Sequence, residues 1–161
     1  MNEEETLQIT LTVNGERVTR VVPVRQHLVD FLRTDLGLTG SHIGCEHGIC
    51  GACSVRVDGA VVRGCLMLAV QADGAEVVTI EGLTDSAEIA DLQQNFVERN
   101  ALQCGYCSPG MLVTAAELLD QGKPATREEI RTFLSGNYCR CTGYHAIIDA
   151  VETTLKHRVG R

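Results

Sequence analysis

Eight cysteines fall into two sets of four, and no other feature of this sequence constrains it as strongly. They are Cys45, Cys50, Cys53 and Cys65, then Cys104, Cys107, Cys139 and Cys141. An even count permits disulfides. Eight in 161 residues is nevertheless below the density of a disulfide scaffold. The chain also opens on the acidic Met1-Asn2-Glu3-Glu4-Glu5, where a secretory signal would have a basic start and an apolar stretch. That acidic start reads as a solvated tail. A cytoplasmic address is therefore expected, where thiols stay reduced, and clustered cysteines there point to metal.

The first set reads Cys45-x4-Cys50-x2-Cys53, with eleven residues between Cys53 and Cys65. This is the spacing of plant-type [2Fe–2S] ferredoxins. A cluster held by four thiolates is anionic, so burying it calls for donors around the sulfurs. Gly40, Gly44, Gly48 and Gly51 permit tight turns that aim amide N–H groups inward. Zinc usually takes two short ligand pairs instead. A Rieske centre needs two histidines on one iron. Cys45-Glu46-His47 offers half of that pattern, and no Cys-x2-His follows. His47 reads as a solvated loop residue.

The second set is two close pairs, Cys104-x2-Cys107 and Cys139-x-Cys141. Four thiolates so arranged suit zinc as well as iron–sulfur. Each pair is expected at the start of a helix, whose N-terminus favours negative charge by about 0.3–1 kcal/mol. Either centre would benefit, so these residues alone leave both open.

The pattern between the cysteines divides the chain. Leu7 to Val13 alternates in the manner of a half-buried strand, Asn14-Gly15 is a hairpin turn, and Arg17 to Val24 is a second strand. His27 to Gly37 reads as a helix with Leu28, Phe31, Leu32 and Leu36 on one face. Ser54 to Val57 and Ala60 to Val62 flank the turn Asp58-Gly59, and Val77 to Ile80 reads as a last strand. Beyond, Asp85 or Ser86 caps a helix through Asn100, with Ile89, Leu92, Phe96 and Val97 inward. Ser108-Pro109 opens a helix to Gln121. Thr126-Arg127-Glu128-Glu129 is a capping box, and Thr142 to His157 is a fourth helix. The period changes near Glu81–Asp85. The expected fold class is α+β, with domains at 1–82 and 83–161. A net charge of −7 argues against nucleic acid, and no apolar run reaches a membrane span.

Three stretches occur together and in order: Gly44-Cys45-Glu46-His47-Gly48-Ile49-Cys50-Gly51-Ala52-Cys53, Gln103-Cys104-Gly105-Tyr106-Cys107-Ser108-Pro109-Gly110, and Gly136-Asn137-Tyr138-Cys139-Arg140-Cys141-Thr142-Gly143-Tyr144. This combination resembles the small iron–sulfur subunit of the xanthine oxidase family of molybdenum hydroxylases. The resemblance spans nearly the whole chain. Ser108 stands where Thr is frequent, which keeps a hydroxyl at the expected N-cap.

The resemblance implies a β-grasp ferredoxin domain whose [2Fe–2S] cluster, on Cys45, Cys50, Cys53 and Cys65, faces a medium FAD subunit. It implies a C-terminal four-helix domain holding a second [2Fe–2S] cluster on Cys104, Cys107, Cys139 and Cys141, facing a large molybdenum subunit. That subunit would bind molybdopterin, in bacteria often as the cytosine dinucleotide, and Gln103 and Cys141 match residues that lie against the pterin. The implied assembly is a dimer of heterotrimers. Electrons released by substrate hydroxylation would pass from molybdenum through both clusters to FAD. No substrate site is expected here: the cysteines are committed to metal, and His27, His42, His145 and His157 read as surface or helix-face residues. Arg140 reads equally as a stabiliser of cluster charge and as a partner or solvent contact. Two other readings are a free-standing ferredoxin, against which the second cysteine set counts, and a zinc-stabilised interaction module.

Overall fold

Two tight turns set the register of the sheet. In the computed structural model, which describes residues 5–160, Asn14 and Gly15 both take positive φ, as do Asp58 and Gly59. Two left-handed residues in a two-residue loop match the right-handed twist of the strands they join. The first turn joins β1 (Thr6–Val13) to β2 (Glu16–Pro23), and the second joins β3 (Ser54–Val57) to β4 (Ala60–Arg63). β5 (Glu76–Val78) lies between the hairpins, giving the order β2-β1-β5-β3-β4. It runs parallel to β1 and antiparallel to β3. Apart from Glu5, the acidic start Met1–Glu5 falls outside the described residues.

A helical crossing covers one face of this mixed sheet. α1 (Leu28–Asp30) continues as a wider π-helical turn over Phe31–Asp35, so the expected helix is shorter and less regular than its apolar spacing implied. Leu28, Phe31 and Leu32 are buried with Ile9, Leu11, Val55 and Val77. Leu36 packs only at the edge of that core. A short 3₁₀ turn, Ala69–Ala72, completes this half; its four residues are too few for a periodic signal.

The second half is helical, and its start corrects the expected boundaries. β5 ends at Val78, and Ile80 begins α2 (Ile80–Asp85) instead of closing a strand. The helix expected to run unbroken to Asn100 is interrupted: Ala87 takes φ 59°, and α3 spans Ala90–Glu98. Val97, expected inward, is 64% exposed, whereas Ile89, Leu92 and Phe96 are buried. α4 (Ser108–Asp120) is buried nearly all round, as a helix at the centre of a fold must be. It packs on β3 and β4 on one side and on α6 (His145–Val159) on the other. α5 (Arg127–Phe133) begins at the expected capping box, where Thr126 and Glu129 bond each other's backbone N–H. Ile80 and Leu83 join this second core, not the first.

Polar contacts tie the halves together. Arg56 of β3 pairs with Glu88 at 3.0 Å and with Asp120 at 2.8 Å. The Val61 N–H donates to the Glu117 carboxylate at 3.0 Å.

Candidate metal centres

The cysteines of the first set converge from a loop and a hairpin. Cys45, Cys50 and Cys53 lie between α1 and β3, and Cys65 follows β4. The backbone N–H groups of Cys50, His47 and Ile49 point at the Cys45 sulfur and bring its pKa down to about 6; the Cys50 N–H lies 3.4 Å away. This is the inward turning of amides that the glycine-rich loop promises. Cys53 and Cys65 adjoin each other at 2% and 3% exposure. Burial, reinforced by the Cys65 thiol, pushes Cys53 up to about 11. His47 and Ile49 are exposed, as a solvated loop residue should be in the case of His47.

The second set is assembled from two loops. Cys107 occupies the cap position of α4, so Ser108 is the first helical residue and supplies no hydroxyl cap. Cys139 and Cys141 do not open a helix: α6 starts at His145, after Tyr144 in a left-handed conformation. The intervening loop folds back on its own cysteine. The Cys139 N–H donates to the Tyr144 hydroxyl at 2.9 Å, and the Thr142 hydroxyl donates to the Cys139 sulfur at 3.1 Å. Burial raises the Cys139 pKa, but the hydroxyl and backbone N–H of Thr142 outweigh it and leave the thiol lowered. Burial and the neighbouring Cys139 push Cys107 up to about 12. Cys141, exposed, sits 3.5 Å from the sulfur of Cys104, and that contact raises its pKa.

Each set is thus two adjacent pairs: Cys45 with Cys50 and Cys53 with Cys65, then Cys104 with Cys141 and Cys107 with Cys139. Two irons, each bound by two thiolates, fit four cysteines so arranged.

The sets adjoin. A cavity of about 210 Å³ is walled by all four cysteines of the second set together with Gly44, Cys50 and Ala52 of the first loop. The Tyr138 N–H donates to the Cys50 carbonyl at 2.8 Å, so one hydrogen bond joins a residue of the first set to the neighbour of Cys139. His42, expected to be an unremarkable surface residue, stacks on Tyr106 with ring centroids 4.5 Å apart. Its Nδ1 bonds the Tyr106 carbonyl at 2.8 Å, and the Tyr106 hydroxyl donates to Ile43 at 2.6 Å. Sixty-four positions separate His42 from Tyr106, too far for any local pattern to connect them. Gln103 and Arg140 are exposed on the second loops.

Two family descriptions match the chain: "2Fe-2S iron-sulfur cluster binding domain" over residues 11–83 and "[2Fe-2S] binding domain" over residues 79–152. The small subunit of nicotine 6-hydroxylase from Paenarthrobacter nicotinovorans is 50% identical over 145 residues, 90% of this chain and 87% of that one. The chain belongs to the small iron–sulfur subunits of the molybdenum hydroxylases. Caffeine dehydrogenase subunit gamma of Pseudomonas sp. strain CBB1 is a further relative, 49% identical over 148 residues, 90% of this chain and 89% of that one. A chain of quinoline 2-oxidoreductase from Pseudomonas putida 86 superimposes with a TM-score of 0.88 at 47% identity, covering 93% of each. As a small subunit of this kind the protein is the electron-transfer component of an oxidoreductase complex. Its two halves are both [2Fe–2S]-binding. Among the described residues no helix is long and apolar enough to cross a membrane.

Proposed function

We propose that this small subunit carries electrons from a large molybdenum–pterin subunit to a medium FAD subunit in the cytoplasm. Cys104, Cys107, Cys139 and Cys141 would hold the cluster next to the pterin. Cys45, Cys50, Cys53 and Cys65 would hold the cluster next to the flavin. When bound, each cluster accepts and releases one electron at a time. The chain's own residues hold the sulfurs, supply N–H donors to Cys45 and keep the two sets adjacent. The pterin is proposed as the cytosine dinucleotide form of molybdopterin, and the assembly as a dimer of heterotrimers.

The observation that carries this reading is an asymmetry of exposure. Cys104 and Cys141 lie at the surface, where a partner's cofactor can approach, while the half-buried Cys139 adjoins Tyr138, whose N–H reaches the Cys50 carbonyl of the first set. A free-standing ferredoxin would need only the first set. Within this reading residues 1–82 are a β-grasp ferredoxin domain and 83–161 a four-helix domain. The two separate cores support a division near that point, with α2 packed in the helical half.

Purification from the native source is expected to yield a complex containing molybdenum and FAD, and stable contacts of this kind often bury more than about 2,000 Å². A chain that stays monomeric when co-expressed with both subunits would contradict the proposal. Gln103 has both a donor and an acceptor and is exposed beside Cys104. Gln103→Ala is expected to keep both clusters and slow reduction of the nearby one by substrate. An unchanged rate with unchanged cofactor content would restrict Gln103 to the cysteine loop.

A further inference from the structure

The contact between Tyr138 and Cys50 is held in place by a buried polar seam. Asn137 is 1% exposed. Its side-chain amide donates to the Gly51 carbonyl at 3.1 Å and to the Ser54 hydroxyl at 3.5 Å. Arg63, reaching across from β4, donates through Nη2 to the Gly136 carbonyl at 2.8 Å and to Asn137 Oδ1 at 3.4 Å, and through Nη1 to the Ser54 hydroxyl. The Gly51 carbonyl also accepts from the Ser54 backbone and hydroxyl. Gly51 lies between Cys50 and Cys53, and Gly136-Asn137 leads into Cys139. Every bond of the seam therefore ends on, or beside, a cysteine-bearing loop.

The fit leaves no slack. Gly51 has φ +74°, and a Cβ there would fall 2.6 Å from both the Asn137 amide nitrogen and the Gly136 carbonyl. Buried amides with partners on several sides fix a geometry that apolar packing alone would leave adjustable. The second bridge, from Tyr106 to Ile43, crosses a whole tyrosine side chain and arrives two residues short of Cys45. The link from Cys50 through Tyr138 to Cys139 is shorter in bonds, and it is the one that Asn137 adjoins.

We propose that Asn137 and Arg63 are positioning residues for electron transfer within this chain: they seat the Tyr138 peptide on the Cys50 carbonyl and so fix the separation and mutual orientation of the two clusters. The inference rests on the reading that both cysteine sets hold [2Fe–2S] clusters. Transfer between centres weakens exponentially with distance, so a loop that shifts without losing its ligands would still slow the electron.

Asn137→Ala, Arg63→Gln and the conservative Arg63→Lys test this in the full chain, reduced with dithionite. Paramagnetic resonance gives each cluster's own signal, and the magnetic splitting between the two spins reports their geometry. Asn137→Ala and Arg63→Gln are expected to keep both signals and full iron but to change the splitting. In the assembled complex they should slow reduction of the first cluster roughly tenfold, since small misplacements of reacting centres are costly, while the second cluster is reduced at the normal rate. Arg63→Lys should return most of the splitting. If Asn137→Ala sheds the second cluster, Arg63→Gln decides through the same two readouts. Unchanged splitting and unchanged transfer in variants with lowered melting temperature would overturn the proposal and leave the seam a stabilising contact only. If substrate fails to reduce the second cluster in the unmodified complex, the proposed route of electrons fails, yet the splitting in the isolated chain still decides on the seam.

Discussion

On the proposed reading the two cysteine sets do the same chemistry from different surroundings. In the first, Cys53 and Cys65 belong to the interior, at 2% and 3% exposure, and a strand hairpin delivers the fourth ligand. In the second, Cys104 and Cys141 lie at the surface and both ligand pairs sit on loops leading toward helices. Each set also has two half-buried cysteines, Cys45 and Cys50 in the first and Cys107 and Cys139 in the second. On the proposed reading, the exposed edge of the second set faces the donor of electrons. The Tyr138 to Cys50 hydrogen bond joins the two sets.

The sharpest way to break the comparison is to remove one ligand from each set. Four irons and four sulfides are expected per chain, from two clusters of two. Cys53→Ser and Cys107→Ser are each expected to lose about half of the iron, because a [2Fe–2S] cluster needs all four ligands. Cys53→Ser should also lower the melting temperature more than Cys141→Ser, since only Cys53 is packed in a core. Iron and sulfide analysis with thermal melts checks both statements. Equal melting temperatures would erase the distinction between buried and exposed sets.

The next effect probes the junction. Gly51→Ala places a Cβ against Asn137 and the Gly136 carbonyl, and Gly110→Ala places one on the Gly51 carbonyl. Overpacking of this kind costs about 1–3 kcal/mol, with the left-handed backbone at Gly51 adding to it. Denaturant melts should show both variants less stable than Gly143→Ala, whose added Cβ meets nothing although its φ is also positive.

Much of this was legible in the sequence, and unevenly so. Short-range patterns read correctly: Asn14-Gly15 and Asp58-Gly59 as turns, and Thr126 to Glu129 as a capping box. The cysteine spacings read as [2Fe–2S] binding for the first half, as the match over residues 11–83 bears out, and left zinc open for the second, which the match over residues 79–152 decides. Helix starts failed where a left-handed residue intervenes, at Ala87 and Tyr144, because neither alanine nor tyrosine announces such a conformation. The residues that join the two sets, His42 with Tyr106 and Arg63 with Asn137, were invisible as partners. Their contacts span 64 and 74 positions, and periodicity carries no information at that range.

Two smaller effects should stay within the helical half and leave the first cysteine set untouched. Thr126→Ala removes a cap that accepts the Glu129 N–H and should cost about 1 kcal/mol, read as a lower melting temperature with unchanged iron. Smaller still is Asp91 at the start of α3. Hydrogen bonding to the Arg158 guanidinium holds its carboxyl below the ordinary value. The unfolded chain therefore binds this proton more readily than the folded one. The contribution is full above the unfolded value of about 3.9 and is lost as pH falls through the lower folded value. Melting curves of the protein and of Asp91→Asn should accordingly converge as the solution is acidified through that window. A gap that persisted would show that Asp91 acts through packing and not charge.

The central claim is that the two centres act in series, with the helical one first. Single-turnover reduction by substrate of an assembled Cys107→Ser complex tests it most directly, with optical and paramagnetic signals followed for each centre. The variant must first be shown to retain its other cluster, because losing metal can unfold a domain. Reduction is expected to stop at molybdenum, leaving FAD oxidised. Cys53→Ser should instead let the helical cluster be reduced while FAD stays oxidised. Normal reduction of FAD in the assembled Cys107→Ser complex would contradict the series arrangement.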